Sequence, residues 1–199
     1  MIDILRMECF NSYALSQYTF ENDNGKSSCM EKIKAYVENW DKMYSNNIGL
    51  LLWGSVGTGK TYAAACIANA LLDKGVNVRM TDFAEIFSSL FDNKKEYIKR
   101  LLSYHLLIID DFGMERGTEY SLEQIYNVIN ARYQSRRPLI ITTNLSLTEL
   151  KNPVDTAHRR IYDRVLELCV PIRFEGESMR KEIAQNKLRL AEQILRKED

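Results

Sequence analysis

The stretch GSVGTGKT at residues 54–61 restricts the folds open to this chain more than any other segment. It matches G-x-x-x-x-G-K-[ST] at every fixed position. An apolar run, IGLLLWG at 48–54, precedes it, and an Ala- and Leu-rich segment of helical character follows from Thr61. Glycines at 54, 57 and 59 let the backbone curl until successive N–H groups face one concavity. The start of the following helix adds the positive end of its dipole. Such a hollow takes phosphate, so Gly54, Ser55, Val56, Gly57, Thr58, Gly59, Lys60, Thr61 and the adjoining Tyr62 form the expected nucleotide-phosphate contact. Lys60 would reach the β- and γ-phosphates as a point charge, and the Thr61 hydroxyl would ligate Mg²⁺.

A strand–loop–helix of this kind belongs in an α/β architecture, and the rest of the chain agrees. Four further short apolar runs read as strands: VNVRMTD (76–82), HLLIIDD (105–111), PLIITTN (138–144) and CVPIRF (169–174). Helical spacing covers 30–44, the segment from Thr61 to a stop at Gly75, a helix capped by Asp82, a short piece at 97–104, then 119–134, 156–166, and a closing helix after Ser178. Alternation of strands and helices predicts a three-layer α/β/α sandwich around a mostly parallel five-stranded sheet, with no sizeable C-terminal lid domain. Residues 1–45 are expected to flank the nucleotide site, with ENDNGKSS (21–28) as the candidate linker, and 46–199 to form the nucleotide-binding domain.

Composition excludes several classes. Lys+Arg and Asp+Glu both number 27, so no global charge marks a nucleic-acid binder. Cys9, Cys29, Cys66 and Cys169 lack C-x-x-C spacing and, with only His105 and His158, make no zinc framework; reduced thiols of a cytoplasmic protein are the expectation. No apolar run approaches the ~18 residues of a membrane span, and the N-terminus lacks the pattern of a secretory leader.

The second informative stretch is LLIIDDFG, 106–113. Ligands of open α/β sheets bind at the carboxyl ends of strands, and a phosphate loop with Mg²⁺ needs a carboxylate there. Asp110 is placed to hold the metal. Asp111 would polarise the water that attacks the γ-phosphate, or else cap a turn. Asp111-Phe112-Gly113 is not the DFG of a protein kinase, because no V-A-I-K lysine or H-R-D loop lies upstream. The one Asn-Lys pair, Asn186-Lys187, continues Leu-Arg, which disfavours GTP. Asn144, ending the fourth strand, suits either a water-holding amide or a turn. A small-molecule kinase would use the same loop. KKEYIKR (94–100) is a basic stretch with a tyrosine, able to track a phosphate backbone or simply to face solvent.

Taken in order, GSVGTGKT, LLIIDDFG, ITTN, RRIYDRV and FEGESMRK resemble the bacterial replicative-helicase loader family, the DnaC/DnaI-like AAA+ ATPases, to which the insertion-sequence ATPase IstB is related. The resemblance spans roughly Tyr18 to the end. It implies Walker A at 54–61, Walker B at Asp110 and Asp111, sensor 1 at Asn144, an arginine finger at Arg164 with Arg160 one turn earlier, and sensor 2 at Arg180. It implies MgATP hydrolysis, slow without oligomer or DNA, because a finger supplied in trans is worth ~10³–10⁵ in rate. The implied partners are a DnaB-type helicase, single-stranded DNA and other copies of the chain; regulation of a transposase on duplex DNA is the IstB-like alternative. On this reading Tyr18 or Phe20 would stack near the adenine. Apart from the resemblance, Arg160 and Arg164 could equally sit on a solvated helix face, paired with Asp163 and Glu167.

Overall fold

In the computed structural model, residues 2–10, 12–23, 25, 27–113, 118–176 and 178–195 are described, with side chains for all of these except 2, 3, 90–93 and 181–183. Five strands form one sheet: β1 (Gly49–Gly54), β2 (Val78–Asp82), β3 (Leu106–Phe112), β4 (Leu139–Thr143) and β5 (Cys169–Phe174). Their spatial order is β2-β3-β4-β1-β5, and each neighbouring pair is parallel. The central strands are buried on both faces, which is why they read as unbroken apolar runs. Strand periodicity divides those runs between two cores. Leu50, Leu52, Leu106 and Ile108 pack with the helices α3 (Cys29–Glu38) and α5 (Lys60–Asp73); Leu51, Leu107 and Ile109 pack with α6 (Phe83–Ser103), α7 (Glu119–Ser135) and α9 (Thr156–Leu168). The predicted three-layer sandwich is therefore what forms. No further domain lies among the described residues; the short α8 (Leu147–Lys151) precedes α9, and α10 (Met179–Leu195) follows β5.

Three local differences from the sequence reading have physical causes. The segments at 83–90 and 97–104 are one 21-residue helix, α6, capped as expected by the Asp82 carboxylate, which accepts from the Glu85 N–H at 2.8 Å. The polar DNKKE between them interrupts the apolar pattern but contains no Gly or Pro to interrupt a helix. The helix expected over 30–44 is broken at Asn39, whose side-chain amide donates to Ala35 O; α4 (Trp40–Ser45) restarts beyond it. The N-terminal residues, read only as a flanking segment, form α1 (Ile2–Cys9) and the single turn α2 (Tyr13–Ser16), laid along α5. Of the candidate linker at 21–28, Asn24 and Lys26 lie outside the described residues.

Candidate active site

β1 delivers the chain to residues 54–61 at the carboxyl edge of the sheet, and α5 leads away from it. Two of the glycines are required by crowding as well as by conformation. Gly54 has φ +138°, and a Cβ there would lie 2.1 Å from Phe174 O on β5. Gly57 has φ +83°, and a Cβ would collide with the Ser178 side chain. Close approach matters here because α10 begins on the loop: the Met179 N–H donates to Gly57 O at 2.9 Å. A cleft of about 520 Å³ opens over this junction. It is lined by Val56, Gly57, Gly59, Lys60, Thr61 and Tyr62 from the loop and the start of α5, by Asp111 and Asn144 from the strand ends, by Met179 and Arg180 from α10, and by Leu15, Tyr18, Asn22 and Asp23 from the N-terminal segment.

Lys60 is only 5% exposed and folds back on its own loop, donating to Gly54 O (2.8 Å) and Ser55 O (2.7 Å). Burial pushes its pKa down, as does Arg180; Asp111 and Asp110 oppose that shift. Asp110 lies beneath the cleft, where Thr61 Oγ1 donates to its Oδ1 at 3.1 Å and Thr142 Oγ1 donates to the same oxygen. Burial pushes the Asp110 carboxyl above its ordinary value, the negative charges of Asp111 and Asp82 add to that, and the two hydroxyl donors pull back.

The Asp-Asp pair sits on a β-bulge. Ile109 pairs with Ile141 and Phe112 with Thr143, so Asp110 and Asp111 together face the single residue Thr142. Asp111 is accordingly in the left-handed region, φ +53°, which aspartate tolerates better than most residues. Thr142 pins the bulge from both sides: its hydroxyl donates to Asp110 and accepts the Asp111 N–H at 2.9 Å. Strand alternation alone sends Asp111 away from Asp110; the bulge instead turns it into the cleft. Thr142 was not singled out from sequence. Its signal was a hydroxyl in a strand buried on both faces, where a polar group must find a partner.

The arrangement fits a divalent cation on chemical grounds. Thr61 and Asp110 offer oxygen donors side by side amid an excess of carboxylate charge. Among the described residues no cluster of three or more His, Cys, Asp or Glu forms a metal cage, so a cation here would need phosphate oxygens to complete its shell, as Mg²⁺ ordinarily does.

Other candidates fall elsewhere. Arg164 does not line this cleft; on α9 it donates to Asn130 Oδ1 (2.9 Å) and lies over the rings of Tyr126 (4.9 Å) and Tyr133 (5.7 Å). Arg160 is exposed one turn earlier. Glu167 takes the Tyr133 hydroxyl at 2.7 Å, so both Arg164 and Glu167 make their contacts with α7, and the alternative of a solvated face with Arg164 paired to Glu167 is not what forms. Tyr18 lines the cleft, its ring 5.1 Å from that of Tyr62, whereas Phe20 lies away from it under Lys34. In the basic stretch at 94–100, Tyr97 is buried, with Arg100 over its ring, because it shares the core side of α6 with Leu101 one turn on. Its ring is therefore not offered to a base. The four cysteines are free thiols, as expected, and among the described residues no helix is long and apolar enough to cross a membrane.

The chain is 28% identical over 148 residues to the replicative helicase loader DnaC of Escherichia coli (strain K12), covering 71% of this chain and 58% of that protein. It is 31% identical over 147 residues to the replicative helicase loader DnaI of Bacillus subtilis (strain 168), covering 66% and 47%. The chain thus spans about half the length of these two relatives. The crystal structure of DnaI superposes with a TM-score of 0.70 at 22% identity, covering 85% of this chain and 94% of that one, which shows a shared fold. The family model for the IstB-like ATP binding protein matches residues 6–187, and the chain belongs to that family.

Proposed function

We propose that this chain binds and hydrolyses MgATP as one subunit of an assembly that helps load a DnaB-type replicative helicase onto single-stranded DNA. One observation carries the catalytic part: Lys60, Thr61, Asp111, Asn144 and Arg180 line a single cleft, with Asp110 hydrogen-bonded to Thr61 beneath it. Lys60 leaves its loop carbonyls for the β- and γ-phosphates, exchanging two neutral acceptors for charged ones. Arg180, from the first turn of α10, binds phosphate oxygens from the opposite side. Thr61 and Asp110 hold Mg²⁺, which neutralises phosphate charge when bound. Asp111 and Asn144 orient the attacking water. Arg164, outside its own chain's cleft, completes that of a neighbour. The helicase and the DNA rest on the names of the relatives and on the motif order.

Mixing subunits tests the reading. Arg164→Ala keeps an intact cleft without a finger; Lys60→Met keeps a finger without a working cleft. Each alone should release phosphate from ATP slowly, and the mixture should recover activity. Full activity of Arg164→Ala alone, or no recovery on mixing, sinks the trans arrangement. A second reading, an ATPase that controls a transposase on duplex DNA, is favoured by the IstB-like family match. Co-purification with a DnaB-type helicase or with a transposase separates the two. The same match speaks against a small-molecule kinase.

A further inference from the structure

The base end of the cleft is built from a segment that cannot hold its own shape. Leu15, Tyr18, Asn22 and Asp23 line it: Leu15 lies on α2, a single turn of four residues, Asn22 on the 3₁₀ turn Phe20–Asn22, Tyr18 on the link between them and Asp23 just beyond. Neither has a side-chain N-cap, and helices this short are not stable alone. Their hydrogen-bonding partners come instead from one stripe of α5, where Tyr62, Asn69 and Asp73 stand at i, i+7 and i+11. Asp73 pairs with Arg6 at 2.7 Å. Asn69 Nδ2 donates to Leu15 O (3.0 Å) and Tyr18 O (2.9 Å), sharing a contact with Ala65 O (3.1 Å) on its own helix. Tyr62 Oη donates to Thr19 O at 2.7 Å. The N-terminal segment thus runs antiparallel to α5, from its far end up to the phosphate loop.

Asn69 is the central fastening. It is 1% exposed, and its Oδ1 has no partner among the described residues, so its orientation is set wholly by what the amide N–H groups reach. An unpaired buried oxygen costs free energy, and the carbonyls of Leu15 and Tyr18 are what offset it. We infer that Asn69 is a positioning residue for the nucleobase: it holds the wall formed by Leu15 and Tyr18 against the cleft, while the phosphate end, made by the loop, β3 and α10, stands independently of it. This rests on the nucleotide reading above and adds to it a residue remote from every motif.

The test compares binding of MgATP with binding of magnesium tripolyphosphate, which has phosphates but no base, by calorimetry. Asn69→Leu keeps the volume and removes both donors. It should weaken ATP about tenfold, the scale of two lost hydrogen bonds, and leave tripolyphosphate unchanged. Amide exchange should quicken over residues 13–23 and stay as in wild type over 54–61. Tyr62→Phe, which deletes only the hydroxyl, should move ATP in the same direction by a smaller factor; it carries the same test if Asn69→Leu fails to fold. Wild-type affinity for both ligands in these variants, or equal loss of both, overturns the role of Asn69. A wild type that binds tripolyphosphate and ATP equally overturns the base wall, and one that binds neither overturns the nucleotide reading and this inference with it.

Discussion

Lys60 and Arg132 are both buried cations, 5% and 0% exposed, and among the described residues both are held by backbone carbonyls with no carboxylate in an ion pair. They differ in what those carbonyls belong to. Arg132 on α7 reaches Tyr104 O (2.9 Å), His105 O (2.8 Å) and Pro138 O (2.6 Å), the end of α6 and the entries to β3 and β4. Its rigid fork ties together the chain just beyond α6 and the entries to β3 and β4. Lys60 reaches only its own loop, and its flexible stem ends beside a cleft bordered by Asp111. Arg132 has nowhere else to go, whereas Lys60, on the proposed reading, is parked within reach of a better partner.

The largest expected effect falls on Arg132. Burial pushes its pKa down to about 9, so it stays charged at neutral pH and the carbonyls carry the cost. Arg132→Met leaves them unpaired and should cost about 3–4 kcal/mol of stability in chemical denaturation. The folded fraction should bind ATP with wild-type affinity; a loss of affinity instead would make Arg132 part of the site. Lys60→Met should behave in the opposite way. ATP hydrolysis should fall about a hundredfold or more, worth ~3 kcal/mol, with little change in stability, because only two carbonyls of a single loop lose a donor. A marked drop in melting temperature for this variant would make Lys60 architectural.

The contrast also marks what the sequence could disclose. The loop, Asp110, Asp111 and Asn144 were legible because phosphate chemistry demands fixed residue types at fixed spacing, and strand runs buried on both faces are conspicuous. Arg132 was overlooked although it continues the apolar stripe Ile125, Val128, Ile129 at the next helical position; a charge there reads as solvated until its carbonyl partners, from 104, 105 and 138, are known. The flanking place of the N-terminal segment and of Tyr18 could be read from the sequence, but its fastening by Asn69 could not, since those contacts join residues about fifty positions apart. Hydrophobic periodicity lapses in the middle of α6 although the helix continues, because backbone continuity depends on propensity and capping as much as on pattern.

Thr142 lies between the two extremes, since its partners are the site's own Asp110 carboxylate and Asp111 N–H. Thr142→Val keeps the shape and removes both contacts. Stability should fall by about 1 kcal/mol, and Mg²⁺-dependent hydrolysis about tenfold as the bulge relaxes. Binding of ATP without metal should hardly change. If hydrolysis were untouched, the bulge would be a feature of the sheet and not of the site.

The smallest effect is one of pH and concerns Lys60 without ligand. Its folded pKa lies below its ordinary 10.5, with burial the main cause. Below the folded value the lysine is protonated in both states, and the burial penalty on the charged form is present in full. Between the folded value and 10.5 the unfolded chain binds more protons than the native one, so stability rises with pH across that window and levels off above it. Wild type should therefore gain stability relative to Lys60→Met as the solution is taken from neutral towards pH 10.5. A saturating phosphate ligand should abolish the difference, because the ammonium then has a charged partner that offsets its burial. Parallel curves for the two proteins without ligand would mean that Lys60 is already fully compensated by its loop, and its resemblance to Arg132 would then be closer than the geometry of the cleft implies.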